Sequence, residues 1–134
     1  MLDRRVLELS RDFLNALAAR LAARGIRADQ VSWFGFVAGL AAVPLIVLQQ
    51  FPWAILPVLV NRLADGVDGA LARQVGPTDR GAFLDIALDF LFYSSIPLAF
   101  ALADPATNAL AAAVLIYAFV GTGSTFLAFA VIAA

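Results

Sequence analysis

Four aspartates occur in one short stretch of the sequence, DGVDGALARQVGPTDRGAFLDIALD, at residues 65–89. Asp65 and Asp68 are one helical turn apart, as are Asp85 and Asp89, so each pair shares one face if its segment is helical. Two antiparallel neighbouring helices would bring both pairs to one site, where four carboxylates repel one another unless a cation lies between them. Ligation by oxygen alone favours Mg²⁺, Mn²⁺ or Ca²⁺ over softer ions.

Small residues and an arginine accompany these acids. Gly69 and Ala72 share the face of the first aspartate pair, and Gly81 lies one turn before the second pair. Small residues leave the backbone open to the close approach of a flat or phosphorylated ligand. Arg73 can reach anionic oxygens with its planar guanidinium. Carboxylates, a divalent metal and an arginine form a combination suited to phosphoryl transfer.

The composition indicates an integral membrane protein. Of 134 residues, 63% are hydrophobic and only 14% are charged, which is too apolar for a soluble globular domain. The length predicts a single domain over residues 1–134. The sequence has no cysteine and no histidine, which excludes disulfides, thiolate or imidazole nucleophiles and the usual zinc sites.

The hydrophobic pattern predicts an all-α fold. Residues 2–24 repeat apolar side chains at spacings of three and four, which is typical of an amphipathic helix lying in the membrane interface. Residues 30–134 are expected to form a bundle of about four transmembrane helices, with a kink at Pro44 in the first. The four predicted spans are residues 31–49, 52–73, 81–103 and 106–134.

The arginines predict the orientation. All nine basic residues are arginine, six precede residue 28, and Arg73 and Arg80 bracket the loop between the second and third spans. Under the positive-inside rule, the N-terminal helix and this loop are cytoplasmic. The aspartate-rich stretch is therefore expected at the cytoplasmic face of a bacterial-type inner membrane.

The aspartate pattern resembles the signature of the CDP-alcohol phosphotransferases, also called CDP-alcohol phosphatidyltransferases. It reads D-x2-D-G-x2-A-R, a spacer of seven residues where eight is commoner, then G-x3-D-x3-D, with every signature position filled. The segment ADQVSWFGFVAGL at residues 28–40 is similar to the family's TPNxVT segment, with Ala28 and Asp29 in place of proline and asparagine. Family members usually have six spanning helices, so the chain resembles a member shortened at the C-terminus.

The resemblance implies a metal site and a base. Asp65, Asp68 and Asp85 would hold two ions of Mg²⁺ or Mn²⁺. Asp89 would complete this site and take the proton from the acceptor's hydroxyl group. The residues implied to bind CDP are Gly69, Ala72, Arg73 and Gly81.

The implied reaction is transfer of a phosphatidyl group from CDP-diacylglycerol to a small alcohol, with release of CMP, in phospholipid synthesis. Transfer of a phospho-aminoalcohol from a CDP-aminoalcohol to diacylglycerol is an alternative within the family. A non-catalytic membrane protein that binds divalent cations is an alternative from another class, although it has no use for Arg73 or for the small residues. The resemblance further implies a homodimer in the bilayer without a nucleic-acid partner, and the acceptor alcohol is not encoded in the signature.

Two polar residues precede the signature within the second span. Asn61 lies one turn before Asp65 and can bind a ligand or form an interhelical hydrogen bond. Arg62 lies deep in the span, at an angle away from Asp65, and can pair with an acid, bind an anionic acceptor group or extend to the interface.

Overall fold

The structure is a computed structural model that describes the backbone of residues 2–133 and the side chains of residues 10–132. Between residues 2 and 133 there is no β-strand, which confirms the all-α prediction. The helices are α1 (Leu2–Ala23), α2 (Ala28–Leu40), α3 (Ala42–Val47), α4 (Phe51–Val75), α5 (Asp79–Ala103) and α6 (Pro105–Ala133).

Three helical segments of the described chain are long and apolar enough to cross a membrane, at residues 28–47, 79–103 and 105–132. They correspond to the first, third and fourth predicted spans. The second predicted span is α4, which has 25 residues and is therefore about 37 Å long. The four charged residues of α4 lie between residues 62 and 73, and α4 is on average less apolar than α5 and α6.

Local sequence determines where the helices end. Gly25, which follows the first helix, has φ +73°, and the amides of Gly25 and Ile26 donate hydrogen bonds to the carbonyl oxygens of Ala22 and Leu21 respectively. This is a Schellman motif, in which glycine adopts the left-handed conformation. The predicted kink near Pro44 is present as a break at Ala41 between α2 and α3, because proline cannot donate to the preceding turn.

Helix α1 packs along α4 and covers part of the core. Its side chains at Leu14, Leu17 and Leu21 contact a buried cluster that includes Val67 and Leu71 of α4. Phe13, one of the apolar residues predicted to repeat along residues 2–24, is instead exposed. The earlier apolar residues of this repeat are Leu2, Val6 and Leu9, and their side chains lie outside the described residues.

Glycines bring α2 unusually close to α4. A Cβ added at Gly35 would lie 2.5 Å from Cβ of Ala64, and one at Gly39 would lie 2.8 Å from Cβ of Asn61. Small residues that allow such approach are typical of helix pairs in membranes. The approach brings α2 alongside the polar half of α4.

Candidate metal and nucleotide site

Three of the four signature aspartates converge. Asp65 and Asp68 on α4 and Asp85 on α5 each offer a carboxylate oxygen, and these oxygens lie within 4.8 Å of one another. Asp68 is buried, Asp65 is half-buried and Asp85 is exposed. The cluster therefore begins inside the bundle and opens to one side.

The three helices around the cluster differ from the predicted arrangement. Asp68 lies near Asp85 and Arg62 pairs with Asp89, so α4 and α5 run antiparallel, as expected. However, α2 packs closely on both α4 and α5, whereas α4 and α5 make few close backbone contacts with each other. The sequence predicted α4 and α5 as direct neighbours, whereas they face each other across a gap that α2 closes on one side.

Ser32 on α2 supports the cluster. Its hydroxyl donates a hydrogen bond of 2.5 Å to Oδ2 of Asp68. Ser32 was not predicted from the sequence, but it shares a helix face with Gly35 and Gly39, and that spacing of small residues was the available signal. This hydrogen bond fixes the orientation of the buried Asp68 carboxylate.

Asp89 lies beside the cluster and has two partners of its own. Nη2 of Arg62 lies 2.8 Å from its Oδ1, and the hydroxyl of Tyr93 donates a 2.9 Å hydrogen bond to its Oδ2. Arg62 also lies 3.7 Å from Asp65, the residue from which its helix position was expected to direct it away. Three roles were expected for Arg62, and in the structure it pairs with acidic residues. Tyr93 was not anticipated from the sequence.

Asn61 connects this region to α2. Its side-chain amide donates to the carbonyl oxygen of Gly35 at 3.1 Å, and its side-chain oxygen accepts from Nε of Arg62 at 3.0 Å. Asn61 is buried, and it forms the interhelical hydrogen bond that was one of its two expected roles.

A cavity of about 680 Å³ lies next to the cluster. This volume is within the range of about 300–1,000 Å³ that is usual for small-molecule sites. The cavity is lined by Asp68 and Asp85 together with the signature's small residues Gly69, Ala72 and Gly81. The residues implied to make room for a nucleotide therefore surround a space beside the carboxylates.

Charged residues surround the cavity. Arg27, Asp29 and Arg80 line it, and Nε of Arg80 lies 3.8 Å from Oδ2 of Asp29. Ala28 and Asp29, which depart from the family pattern, both belong to its wall. Arg73 is exposed, and its Nη1 lies 3.5 Å from the point that a Cβ on Gly69 would occupy.

The connection between α4 and α5 also borders the cavity. Much of the seven-residue spacer is helical, which leaves a loop at residues 76–78. Gly76 has φ +102°, and Thr78 accepts a 3.0 Å hydrogen bond from the amide of Gly81, which caps α5. The loop thus fixes Gly81 at the start of α5, next to the cavity.

The donor set fits a hard divalent cation. A second, small pocket of about 10 Å³ touches Asp65, Asp68, Asp85 and Asp89, and this is about the space that one water-sized occupant needs. All nearby charged ligands are carboxylate oxygens, which Mg²⁺ and Mn²⁺ accept. Asp65, Asp68 and Asp85 could hold such an ion.

The fold and the site define a helical membrane protein with an acidic, oxygen-ligand centre beside a nucleotide-sized cavity. Residues 10–134 match the family model of CDP-alcohol phosphatidyltransferase, and the chain belongs to that family, as the signature predicted.

Three curated relatives support this assignment. The chain is 48% identical over 134 residues to the inner membrane protein YnjF of Escherichia coli K12. The matched region covers 100% of this chain and 65% of that protein. The chain is 40% identical over 79 residues to phosphatidylinositol phosphate synthase of Streptomyces avermitilis, covering 57% of this chain and 32% of that protein. It is 36% identical over 90 residues to archaetidylinositol phosphate synthase of Pyrococcus horikoshii, covering 66% and 48%. No solved structure matches the chain.

Proposed function

We propose that the protein transfers a phosphatidyl group from CDP-diacylglycerol to a small alcohol and releases CMP, in a reaction that depends on Mg²⁺ or Mn²⁺. The observation that carries this proposal is the group of three carboxylates with oxygens within 4.8 Å, two of which, Asp68 and Asp85, line a 680 Å³ cavity together with the signature's small residues. The membrane-embedded helices suit a donor whose acyl chains remain in the bilayer.

The carboxylates would hold the metal, and the remaining residues would orient them and the donor. Asp65, Asp68 and Asp85 are the proposed ligands, with Ser32 fixing the orientation of Asp68. When bound, the metal would supply positive charge next to the diphosphate of the donor. Asp89, which borders the same small pocket, is proposed to complete the site and to serve as the base.

The cavity would hold the CDP portion of the donor. Gly69, Ala72 and Gly81 carry little or no side chain, so the nucleotide and its phosphates can approach the backbone. Arg73 would contact an anionic oxygen of the diphosphate from beside Gly69.

The reaction proposed is a direct displacement at the phosphorus that carries the diacylglycerol group. The acceptor's hydroxyl oxygen forms a bond to this phosphorus, and the bond between the phosphorus and the oxygen of CMP breaks. The electron pair of the broken bond leaves with CMP, and Asp89 takes the hydroxyl proton. The sequence contains no cysteine or histidine to form a covalent intermediate of the usual kind, which favours a single step.

The acceptor belongs to the class of small alcohols. The names of two relatives mention inositol phosphate products, so inositol phosphate is included among the acceptors to be screened. We further propose a homodimer with its N-terminus and site toward the cytoplasm, on the basis of the family and of the arginine distribution.

Binding of CDP to the detergent-purified protein, measured by calorimetry with and without Mn²⁺, tests the proposal. We expect binding that requires Mn²⁺ and is lost in Asp68→Ala. Asp12→Ala, which removes an exposed carboxylate on α1, is the matched control and should bind normally. Release of CMP from CDP-diacylglycerol is then measured with different alcohols. Transport of Mn²⁺ into liposomes without nucleotide binding would instead support the cation-binding alternative.

A further inference from the structure

Arg62 is the cationic side chain that lies beside the acidic centre. Its Nη2 lies 2.8 Å from Oδ1 of Asp89, and its Nη1 lies 3.7 Å from Oδ2 of Asp65. The sequence contains no lysine or histidine. The other arginines with described side chains are all exposed, and they are Arg11, Arg20, Arg24, Arg27, Arg73 and Arg80. Within the described chain, Arg62 is therefore the one positive charge that contacts the signature aspartates.

The two carboxylates that Arg62 contacts also belong to the small pocket. Asp65 and Asp89 line this pocket of about 10 Å³ together with Asp68 and Asp85. Asp65 is in addition one of the three aspartates whose oxygens lie within 4.8 Å of one another. A cation held by these oxygens would share the carboxylate of Asp65 with the guanidinium, so two positive charges would lie close to one carboxylate.

The surroundings hold the guanidinium of Arg62 in place. It lies over the rings of Tyr93 and Phe92, at 4.8 Å and 5.5 Å from their centroids. It donates hydrogen bonds to the side-chain oxygen of Asn61 and to the hydroxyl of Tyr93. Asn61 in turn is anchored to the backbone of Gly35 on α2. A planar guanidinium that is stacked and hydrogen-bonded on several sides has little freedom to turn away when another cation arrives.

The charge of Arg62 has opposite effects on the protein without metal and with it. In their ionised forms the four carboxylates repel one another, and partial burial makes uncompensated charge costly. Without metal, the guanidinium offsets part of this charge and stabilises the bundle. A divalent cation at the same carboxylates is repelled by the guanidinium and finds less negative charge to neutralise, which weakens metal binding.

We propose that Arg62 is a built-in counter-cation that stabilises the metal-free bundle and competes with divalent metal for the carboxylates of Asp65 and Asp89. Arg62 thereby raises the metal concentration at which the site is occupied. This inference rests on the proposed function, which assigns a divalent metal to these residues, and it adds a residue that controls the affinity for that metal.

The first test compares the Mn²⁺ affinity of two variants by calorimetry in detergent. Arg62→Gln and Arg62→Lys both lose the planar fork that contacts Asp89 and Tyr93, but only Arg62→Lys keeps the positive charge. Arg62→Gln should bind Mn²⁺ at least about fivefold more tightly than Arg62→Lys, because even a partly exposed charge repels a divalent ion nearby. Equal affinities, or weaker binding by Arg62→Gln, would overturn the proposal.

The second test is the unfolding temperature of the same two variants. With EDTA, Arg62→Gln should unfold at least about 3 °C below Arg62→Lys, because its carboxylates lack a counter-charge. Excess Mn²⁺ should narrow this difference, since the variant that binds the ion more tightly gains more stability from it. A difference that is the same with EDTA and with Mn²⁺ would show that the two cations do not compete.

Folding of Arg62→Gln is itself informative. A variant that folds with Mn²⁺ and not with EDTA would support the proposal, because the ion then takes over the charge of Arg62. Failure to fold under both conditions, while Arg62→Lys folds, would show that metal cannot replace this charge and would contradict the proposal. Arg11→Gln makes the same substitution at an exposed position of α1 and is the matched control, with Mn²⁺ affinity within about twofold of the unchanged protein.

The two proposals fail in different ways. A chain that binds Mn²⁺ but neither binds CDP nor releases CMP would refute the transferase function, and the comparison of Arg62→Gln with Arg62→Lys would still decide the role of Arg62. An active chain in which both variants bind Mn²⁺ equally would refute the counter-cation role alone. Absence of Mn²⁺ binding in both the unchanged protein and Arg62→Gln would contradict both proposals.

Discussion

Replacing Gly35 with alanine tests whether the close packing of α2 on α4 organises the site. A Cβ added at Gly35 would lie 2.5 Å from Cβ of Ala64 and 3.7 Å from the carbonyl oxygen of Asn61. Neither neighbour can turn away, because the first is the only side-chain carbon of an alanine and the second belongs to the backbone. The two helices must therefore separate at this point.

The separation follows from the contact distance. Carbon atoms in optimal contact are about 3.5–4.0 Å apart, so α2 must move by about 1 Å. The hydrogen bonds from Ser32 to Asp68, at 2.5 Å, and from Asn61 to Gly35, at 3.1 Å, cross the same interface and would lengthen. We expect a loss of about 1–3 kcal/mol in stability from overpacking. Mn²⁺ affinity should fall about tenfold, as is usual when a ligand loses its supporting hydrogen bond.

The assay combines thermal unfolding in detergent with Mn²⁺ calorimetry. Gly121→Ala is the matched control, because Gly121 is also helical and an added Cβ there meets no atom within 4 Å. It should leave affinity unchanged and stability equal or slightly higher, since alanine favours helices over glycine by about 1 kcal/mol.

A compensating change on α4 should reverse the loss of Mn²⁺ affinity. Gly35→Ala combined with Ala64→Gly removes the clashing carbon from α4 and should restore Mn²⁺ affinity, although the new glycine keeps stability below that of the unchanged protein. If Gly35→Ala binds Mn²⁺ normally, close packing does not organise the ligands. If the double variant binds as poorly as the single one, the clash with Ala64 is not the cause.

Three further predictions concern single positions. Ser32→Ala should lower Mn²⁺ affinity about tenfold in calorimetry, because Asp68 loses its orienting hydrogen bond, and unchanged affinity would show that Ser32 is dispensable. Hydrogen bonds from the side chain and amide of Thr107 hold the pKa of Asp104 below its usual value. The ionised carboxylate caps α6, so it stabilises the helix fully when the pH is above the usual pKa of an aspartate. This stabilisation is lost as the pH falls through the lowered pKa. Hydrogen exchange at the amide of Thr107 should accelerate over that acidic range, and Asp104→Ala should abolish this pH dependence. Gly76→Ala should lower the unfolding temperature, because φ is +102° there, and an unchanged temperature would contradict the strain argument.

Helical periodicity predicted part of the acidic centre. Two residues three or four apart share a helix face, so the spacing predicted that Asp65 lies beside Asp68. The meeting of this pair with Asp85 rested on the further expectation that the two helices are antiparallel and close in space. The apolar segments predicted the long helices, because burial in lipid requires continuous apolar sequence. Such local rules need no knowledge of the tertiary structure.

Contacts made by long side chains and by a third helix could not be predicted in this way. The helix position of Arg62 was interpreted as directing it away from Asp65, yet its flexible stem brings the guanidinium to both Asp65 and Asp89. Ser32 meets Asp68 only because Gly35 lets α2 approach α4. Each of these contacts depends on how helices distant in sequence pack, which spacing within one helix does not specify.

The placement of α2 reconciles two opposing requirements of the site. A nucleotide needs space between α4 and α5, whereas a metal needs carboxylates from both helices within a few ångströms. Because α2 packs on both helices, it can fix their separation while the cavity between them stays open. The remaining difficulty is electrostatic, since four carboxylates face one guanidinium, that of Arg62, which already pairs with Asp89. The uncompensated charge lies on the three clustered aspartates, where the proposed divalent cation would offset it.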